Sequence, residues 1–130
     1  MKRLSDGRRA MIIDAGVNLL FTRFWYKHQI TPAQDGGMMT EDTAVYGPLC
    51  MNIDCIAESI TLPVMKKGDM VVIDYVGAYD MTQWMQFIQM RPNVVMILED
   101  KTVEIIREAE NIDYLMQNER IPEKLRSFKL

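Results

Sequence analysis

The sequence predicts a mainly β domain, a β-barrel or sandwich of Greek-key-like connectivity with a few short helices. Predicted strands outnumber predicted helices, and turn-forming residues recur at the intervals typical of all-β domains. No internal repeat, low-complexity tract or shift in composition divides the 130 residues. The chain is also too short to contain a complete (β/α)₈ barrel, which needs roughly 200 residues or more.

The first half of the chain predicts three strands and one short helix. Arg9–Asp14 is an apolar segment that predicts a strand ending in a turn of small residues. Val17–Tyr26 has apolar and aromatic residues at helix-like spacing, which indicates a short helix or a compact turn. Lys27–Ala33 and Thr43–Tyr46 are the next predicted strands, and Gly47-Pro48 ends the second of them.

The middle of the chain contains the clearest predicted strand, Met70–Val76. Its density of β-branched residues and its flanking glycines both favour an extended conformation. The segment before it, from Cys50 to Thr61, has a mixed pattern that predicts no single element. Met81–Met90 predicts one or two helical turns.

A hairpin and a short helix are predicted to complete the domain. Asn93–Leu98 and Thr102–Arg107 flank a polar turn and predict the two strands of the hairpin. Asn111 is placed to cap a helix over Ile112–Asn118. We therefore assign residues 1–120 to one β-domain and residues 121–130 to a C-terminal tail.

Composition and charge exclude several classes of protein. The 15 basic and 18 acidic residues give a net charge of −3, which disfavours nucleic-acid binding through a charged face. No stretch approaches the ~18 apolar residues of a membrane span, and the polar, basic N-terminal segment does not resemble a signal peptide. Two cysteines and one histidine are too few for a zinc site of the usual Cys/His type. We therefore expect a cytoplasmic protein with reduced thiols and no bound metal.

Cys50 is the first candidate for chemistry. It follows Gly47-Pro48-Leu49, where a sharp turn could present the side chain at a fixed angle. A thiol suits proton transfer or nucleophilic attack, because its pKa is near neutrality and shifts readily with environment. The alternative is a small buried apolar side chain, which is the usual fate of a free cysteine. We assign that role to Cys55.

Gly77-Ala78-Tyr79 is the second candidate, since it directly follows the clearest strand. Two small residues allow a ligand to approach the backbone closely, and a tyrosine hydroxyl there could donate to a phosphate or carboxylate. The alternative is a half-buried tyrosine at a strand end that only packs. The lone histidine, His28, is predicted to pack or to face water.

Four short motifs occur in the same order as in one known family. They are Asp14-Ala15-Gly16-Val17-Asn18, Tyr46-Gly47-Pro48-Leu49-Cys50, Lys67-Gly68-Asp69 and Gly77-Ala78-Tyr79. Together they resemble the C-terminal β-domain of pyridoxal-phosphate-dependent amino-acid decarboxylases with an alanine-racemase-like barrel, which include diaminopimelate, ornithine and arginine decarboxylases. The resemblance spans roughly residues 2–120, and Val103–Leu115 is similar to that domain's closing strand and helix.

In that family an N-terminal barrel supplies the lysine that forms the Schiff base with the cofactor. The β-domain helps to close an active site at the interface of a head-to-tail dimer. The resemblance implies that Cys50 reaches the active site of the other subunit and returns a proton to Cα. It implies that Tyr79, with Gly77 beside it, contacts the cofactor phosphate. It also implies substrate binding by Asp54, near the same interface, and by Arg23.

The sequence departs from the family's pattern at positions that concern the substrate. Met51 stands where diaminopimelate decarboxylases usually have a carboxylate, and Ala15 stands where ornithine-type enzymes have an aspartate. Arg23 lies in a segment that lacks the usual Arg-Pro pair. Phe87-Ile88 replaces a pair that commonly ends in asparagine. These changes indicate a divergent pocket, so we leave the amino-acid substrate unnamed.

The absence of a barrel from this sequence determines the cofactor binding and activity that we expect. No lysine in it matches the Schiff-base position, so pyridoxal phosphate should bind only when a barrel domain is present. We therefore predict the C-terminal sheet domain of a decarboxylase, inactive alone, that works with a barrel domain and a second copy of itself as a homo-oligomer. The alternative is a barrel-less module that binds a partner or self-associates without catalysis, through an apolar patch that includes Trp84, Met85 and Phe87. A third possibility is an unrelated β-sandwich with chance motifs.

Overall fold

Eight strands account for most of the regular structure in the computed structural model, which describes residues 2–34 and 37–126. The strands are β1 (Lys2–Arg3), β2 (Arg9–Ile12), β3 (Ile30–Pro32), β4 (Thr40–Tyr46), β5 (Cys55–Pro63), β6 (Val71–Ile73), β7 (Val94–Ile97) and β8 (Val103–Arg107). The helices are a 3₁₀ helix (Phe21–Phe24) and two short α-helices, α1 (Ile112–Met116) and α2 (Glu123–Arg126). The described residues are thus mainly β and contain no (β/α)₈ barrel, as the sequence predicts.

A four-stranded sheet in the order β1-β2-β4-β5 organises the first part of the chain. β2 and β4 run parallel, with Ala10 opposite Ala44 and Ile12 opposite Tyr46, whereas the other neighbours are antiparallel. Because β2 and β4 point the same way, the turns that follow them leave the sheet at one edge. A separate antiparallel pair joins β3 to β6.

The hydrophobic core lies within the compact unit Met1–Gln89. β4 contributes Ala44 and Val45, which are adjacent and both fully buried, because this strand has neighbours on both sides and both of its faces are covered. The other buried side chains come from β2, β3, β5 and the intervening turns. The buried cluster consists of Met11, Val17, Leu20, Ile30, Val45, Leu49, Ile56, Leu62 and Met65.

The second compact unit, Met90–Leu130, is built on the β7–β8 hairpin. Its strands confirm the hairpin predicted over Asn93–Leu98 and Thr102–Arg107. The predicted helix cap is also confirmed, because the Asn111 side chain accepts a hydrogen bond from the Tyr114 backbone N–H at 2.8 Å. Helix α2 lies inside the segment predicted as a tail, of which residues 127–130 lie outside the described part of the chain.

The segment from Cys50 to Thr61, whose mixed pattern predicts no single element, contains most of a strand. This strand is β5, Cys55–Pro63, and its nine residues make it the longest in the described part of the chain. The sequence pattern does not indicate this strand, because Glu58 and Ser59 are both exposed and break the alternation of buried and exposed side chains. Its pairing with β4 also shifts register twice, so the pattern changes phase along the strand.

Two further predicted elements differ from the structure. The strand expected over Met70–Val76 is limited to β6, because Tyr75 has a left-handed backbone with φ of +63° and ends the extended segment. Met81–Met90 forms turns rather than helix, and the positive φ of +64° at Ile88 is incompatible with a right-handed helix there. None of the helices in the described part of the chain is long and apolar enough to cross a membrane.

An ion-pair cluster at the start of β4 gives a prediction on acid stability. Arg9 forms an ion pair with Glu41, and the Arg3 guanidinium lies 3.2 Å from the same carboxylate. The Arg9 hydrogen bond is the main cause that holds the pKa of Glu41 below its ordinary value. A carboxyl whose pKa is lowered by folding stabilises the protein above its unfolded pKa, and that contribution is lost as the pH falls through the folded pKa.

We therefore expect Glu41→Gln to be less stable than the parent chain at neutral pH and to match it at an acidic pH below the folded pKa of Glu41. Urea unfolding at the two pH values measures this difference. Glu99→Gln is the control, because Glu99 is exposed and forms no ion pair within the described residues. An equal loss of stability at both pH values would show that Glu41 acts through packing and not through its charge.

Candidate functional site

Cys50 lies on the turn that joins β4 to β5. Its thiol is free and exposed, whereas the preceding residue, Leu49, is buried in the core. The Gly47 N–H donates to the Asp54 backbone carbonyl at 3.0 Å and closes the turn across its base. The thiol is therefore presented to solvent from a turn whose backbone is fixed on both sides of Pro48.

Asp54 holds this turn and a second turn together. Its carboxylate is 2% exposed and accepts hydrogen bonds from the Val17 N–H at 2.8 Å and from the Leu49 N–H at 2.7 Å. Val17 lies after β2 and Leu49 lies after β4, so one side chain fixes the turns that follow the two parallel strands. We refer to this carboxylate and its two amide donors as the Asp54 clamp.

Two glycines make the Asp54 clamp sterically possible. A Cβ on Gly47 would lie closer than 3.0 Å to both Asp54 carboxylate oxygens and to the Gly16 Cα. A Cβ on Gly16 would lie 2.7 Å from Asp54 Oδ1. The first two motifs, which the sequence places about thirty residues apart, therefore form one unit in which two backbone segments meet at a buried carboxylate.

Tyr79 lies on the loop after β6. It is 59% exposed, and its ring meets the Trp25 ring edge-on at 5.9 Å between centroids. Thr82 holds the loop by donating from both its backbone N–H and its hydroxyl to the Tyr79 carbonyl. Gly77 has open space where a Cβ would lie. The phenol and the neighbouring backbone are therefore accessible to a ligand.

Asp80, next to Tyr79, is buried with only 1% exposure. Its carboxylate oxygens each lie 2.8 Å from the Thr22 hydroxyl, and the Thr22 backbone N–H donates to Oδ1 at 3.1 Å. His28 Nε2 lies 3.0 Å from the same hydroxyl. His28 is thus buried and hydrogen-bonded. Sequence reasoning found neither Asp80 nor Thr22, because residues 58 positions apart in the chain leave no local signal of their contact.

Arg23 lies on the 3₁₀ helix, with its guanidinium 5.1 Å from the Phe24 ring centroid. With Lys27 and residues 56–60 of β5 it lines a cleft of about 480 Å³. Burial raises the pKa of the Cys55 thiol, and the Arg23 guanidinium beside that thiol offsets part of the rise. The charged side chains that line the cleft are two cations, Arg23 and Lys27, and one carboxylate, Glu58.

The candidate residues lie in three parts of the fold. Cys50 and Asp54 share the edge of the four-stranded sheet, Gly77 and Tyr79 lie on the loop after β6, and Arg23 lines the cleft beside β5. Within the described residues, no group of three or more His, Cys, Asp or Glu side chains is arranged to hold a metal ion.

Residues 1–77 match the family model for the C-terminal sheet domain of pyridoxal-dependent decarboxylases. The chain belongs to this family. The match includes the Cys50 turn, Asp54 and Gly77, and it ends just before Tyr79.

Curated relatives of this sheet domain are diaminopimelate decarboxylases. The enzyme of Helicobacter pylori strain J99 is 32% identical over 124 residues, which are 91% of this chain and 30% of that enzyme. The enzyme of Archaeoglobus fulgidus is 31% identical over 117 residues, which are 87% of this chain and 28% of the relative. The chain thus spans about 30% of the length of the H. pylori relative that it matches.

Solved structures extend the similarity to three dimensions. Diaminopimelate decarboxylase from M. jannaschii in complex with L-lysine aligns with a TM-score of 0.80 and 26% identity, over 89% of this chain and 27% of that one. The H. pylori enzyme complexed with L-lysine aligns with a TM-score of 0.75 and 28% identity, over 85% of this chain and 28% of that one. The similarity reaches well beyond the residues that the family model matches.

Proposed function

We propose that this chain supplies the sheet domain's part of the active site in a pyridoxal-phosphate-dependent amino-acid decarboxylase similar to diaminopimelate decarboxylase. The observation that supports this most directly is the Cys50 turn, where an exposed free thiol in the family's motif is held by the Asp54 clamp. The remaining parts, a barrel with a Schiff-base lysine and a second copy of the chain in a cytoplasmic homodimer, follow from the family resemblance.

In this proposal Cys50 moves a proton. Pyridoxal phosphate, when bound, takes up the electron pair that stays on Cα as CO₂ leaves. The Cys50 Sγ–H then returns a proton to Cα, and the thiolate regains its proton from water. A thiol suits this step because its pKa lies close enough to neutrality for both protonation states to be accessible. The fixed turn favours the step, since proton transfer requires a defined approach.

The cofactor phosphate is assigned to the loop after β6. The Tyr79 hydroxyl is a donor to which no described residue is bonded, and the open space at Gly77 leaves the backbone accessible. These features fit an oxygen-rich anion, which needs donors and close backbone approach. Arg23 is proposed to bind a substrate carboxylate at the cleft beside β5, which Lys27 and Glu58 also line.

The family resemblance implies that Asp54 binds substrate, but the surroundings of its carboxylate favour another role. Its two carboxylate oxygens already accept backbone N–H groups in a buried site. We therefore propose that Asp54 acts on the reaction by positioning the Cys50 turn and makes no contact with substrate.

The proposed function is tested by mixing the chain with a barrel domain of a diaminopimelate decarboxylase and measuring CO₂ release. The mixture is expected to be active and the chain alone inactive. Cys50→Ala should lower turnover by about 10²-fold or more, because general acid catalysis typically contributes that much. Cys55→Ala is the matched control, since it removes the chain's other thiol from a partly buried position.

Equal turnover by Cys50→Ala and the parent chain would contradict the assigned proton transfer. Absence of activity in every mixture would instead favour the alternative, a module that binds a partner or itself. That alternative is supported by large apolar side chains exposed near β2 and β6, namely Ile12, Met70, Val72 and Tyr75. Trp84, Met85 and Phe87, predicted to form such a patch, are half-buried, and Met85 and Phe87 pack against the core.

A further inference from the structure

A buried polar network lies beneath Tyr79 and uses residues to which the proposed chemistry gives no role. It consists of Thr22 on the 3₁₀ helix, His28 before β3 and Asp80 on the loop after β6, with 0%, 8% and 1% exposure. Buried polar side chains are stable only when their hydrogen bonds are satisfied. The network therefore constrains the three segments that it joins.

The Thr22 hydroxyl lies at the centre of the network. It donates to the Asp80 carboxylate, whose two oxygens each lie 2.8 Å from it. His28 Nε2 lies 3.0 Å from the same hydroxyl, and His28 Nδ1 lies 3.1 Å from the Asp74 backbone oxygen. Thr22 therefore joins the 3₁₀ helix to the His28 segment and to the loop that carries Asp80.

We infer that Asp80, held through Thr22 and His28, is a positioning residue for Tyr79. Asp80 directly follows Tyr79 in the chain, so its bonds to Thr22 fix one end of the exposed loop. The Tyr79 ring meets Trp25, which directly follows the 3₁₀ helix that contains Thr22. Moving Tyr79 away would break the ring contact or break the buried hydrogen bonds between Asp80 and Thr22, and both changes cost free energy.

A fixed Tyr79 ring should bind a ligand more tightly than a mobile one. A phenol held in one place loses less conformational freedom when it binds a phosphate than a phenol on a free loop does. The network should thus contribute to cofactor affinity through Tyr79 alone. The effect on cofactor affinity rests on the proposed function, whereas the position of the Tyr79 ring does not.

The position of the ring is tested by NMR on Thr22→Val, which removes the hydroxyl and keeps the volume. His28 is the chain's one histidine, so its two ring nitrogens give an unambiguous pair of ¹⁵N signals. We expect Thr22→Val to shift the His28 Nε2 signal, because that nitrogen loses its hydroxyl partner, and to abolish the cross-peaks between the Tyr79 and Trp25 rings. Thr22→Ser, which retains a hydroxyl, should restore both.

Thr43→Val is the matched control, because Thr43 is equally buried and its hydroxyl donates only to the Glu41 carbonyl. It should change neither signal. If Thr22→Val does not fold, Asp80→Ala, which removes the acceptor of both Thr22 hydrogen bonds, gives the same test. Unchanged Tyr79–Trp25 cross-peaks in a folded Thr22→Val or Asp80→Ala chain would overturn the inference.

A double-mutant cycle in the mixture with the barrel separates this inference from the proposed function. Thr22→Val and Tyr79→Phe should each weaken pyridoxal phosphate binding by about tenfold, and the double variant should be no weaker than Tyr79→Phe alone. Full cofactor affinity in Tyr79→Phe would refute the phosphate contact and leave the NMR result intact. If the losses of cofactor affinity in the two single variants add in the double variant, the positioning role of the network is overturned.

Discussion

Replacing Gly47 with alanine is expected to lower the free energy of unfolding by about 3 kcal/mol or more. The added Cβ would lie closer than 3.0 Å to both oxygens of the Asp54 carboxylate and to the Gly16 Cα. These atoms cannot move aside easily, because the carboxylate is bound to two backbone amides and Gly16 belongs to a backbone segment next to the buried Val17. Relief of the clash requires the two turns to separate.

Chemical denaturation of the variant and the parent chain, followed by tryptophan fluorescence, measures this effect. Gly37→Ala is the control, because a Cβ there meets no atom within 4 Å and its change in stability should stay within about 0.5 kcal/mol. If Gly47→Ala were as stable as Gly37→Ala, the close approach of the two turns would be wrong.

The Gly47 variant also reports on Cys50. If the turns separate, the backbone on both sides of Pro48 is released and the thiol loses its fixed direction. Turnover in the mixture with a barrel domain should then fall even under conditions in which the variant remains folded. A folded variant with full turnover would show that the orientation of the turn is unimportant for the proposed chemistry.

The sequence predicted the elements that are determined by residues close to one another in the chain. The β7–β8 hairpin follows from two β-branched segments around a polar turn, and the α1 cap follows from an asparagine before an amphipathic segment. The Lys67-Gly68-Asp69 turn is of the same kind. Gly68 adopts a φ of +97°, which glycine tolerates, and the Asp69 carboxylate accepts the Lys66 N–H at 2.7 Å.

The sequence could not reveal the features that depend on pairing between segments distant in the chain. β2 and β4 form a parallel pair across more than thirty residues, and that pairing brings the first two motifs to one edge of the sheet. Nothing in either segment specifies its neighbour, so the motifs could be recognised in order but not placed side by side. The Asp80–Thr22 bond is hidden for the same reason, since neither residue has a local pattern that indicates a buried partner.

The family resemblance and the structure give different information about the role of Asp54. The family pattern indicates that an acidic residue belongs near Cys50, and it suggests a contact with substrate. The structure shows that the carboxylate is 2% exposed and bonded to the Val17 and Leu49 amides. A side chain four residues from the thiol can thus affect the reaction by determining the shape of the turn.

Asp54→Asn is expected to lower the free energy of unfolding by about 3 kcal/mol, because both hydrogen bonds of a buried, charged acceptor are affected. Asparagine offers one acceptor oxygen, and its NH₂ group would face a backbone N–H that needs an acceptor. One of the two turns therefore loses its anchor. Asp69→Asn is the matched control, since Asp69 also accepts a backbone N–H but does so in an exposed turn, where the loss should be below about 1 kcal/mol.

The same variant separates the two roles considered for Asp54. If the carboxylate positions the Cys50 turn, stability and kcat fall together while KM changes little, because the lost interaction is not with substrate. If it instead bound substrate, KM would rise in the mixture with a barrel domain and the free energy of unfolding would stay near that of the parent chain. Denaturation curves and steady-state CO₂ release on one protein preparation distinguish these outcomes, and a stable Asp54→Asn chain with a raised KM would refute the Asp54 clamp.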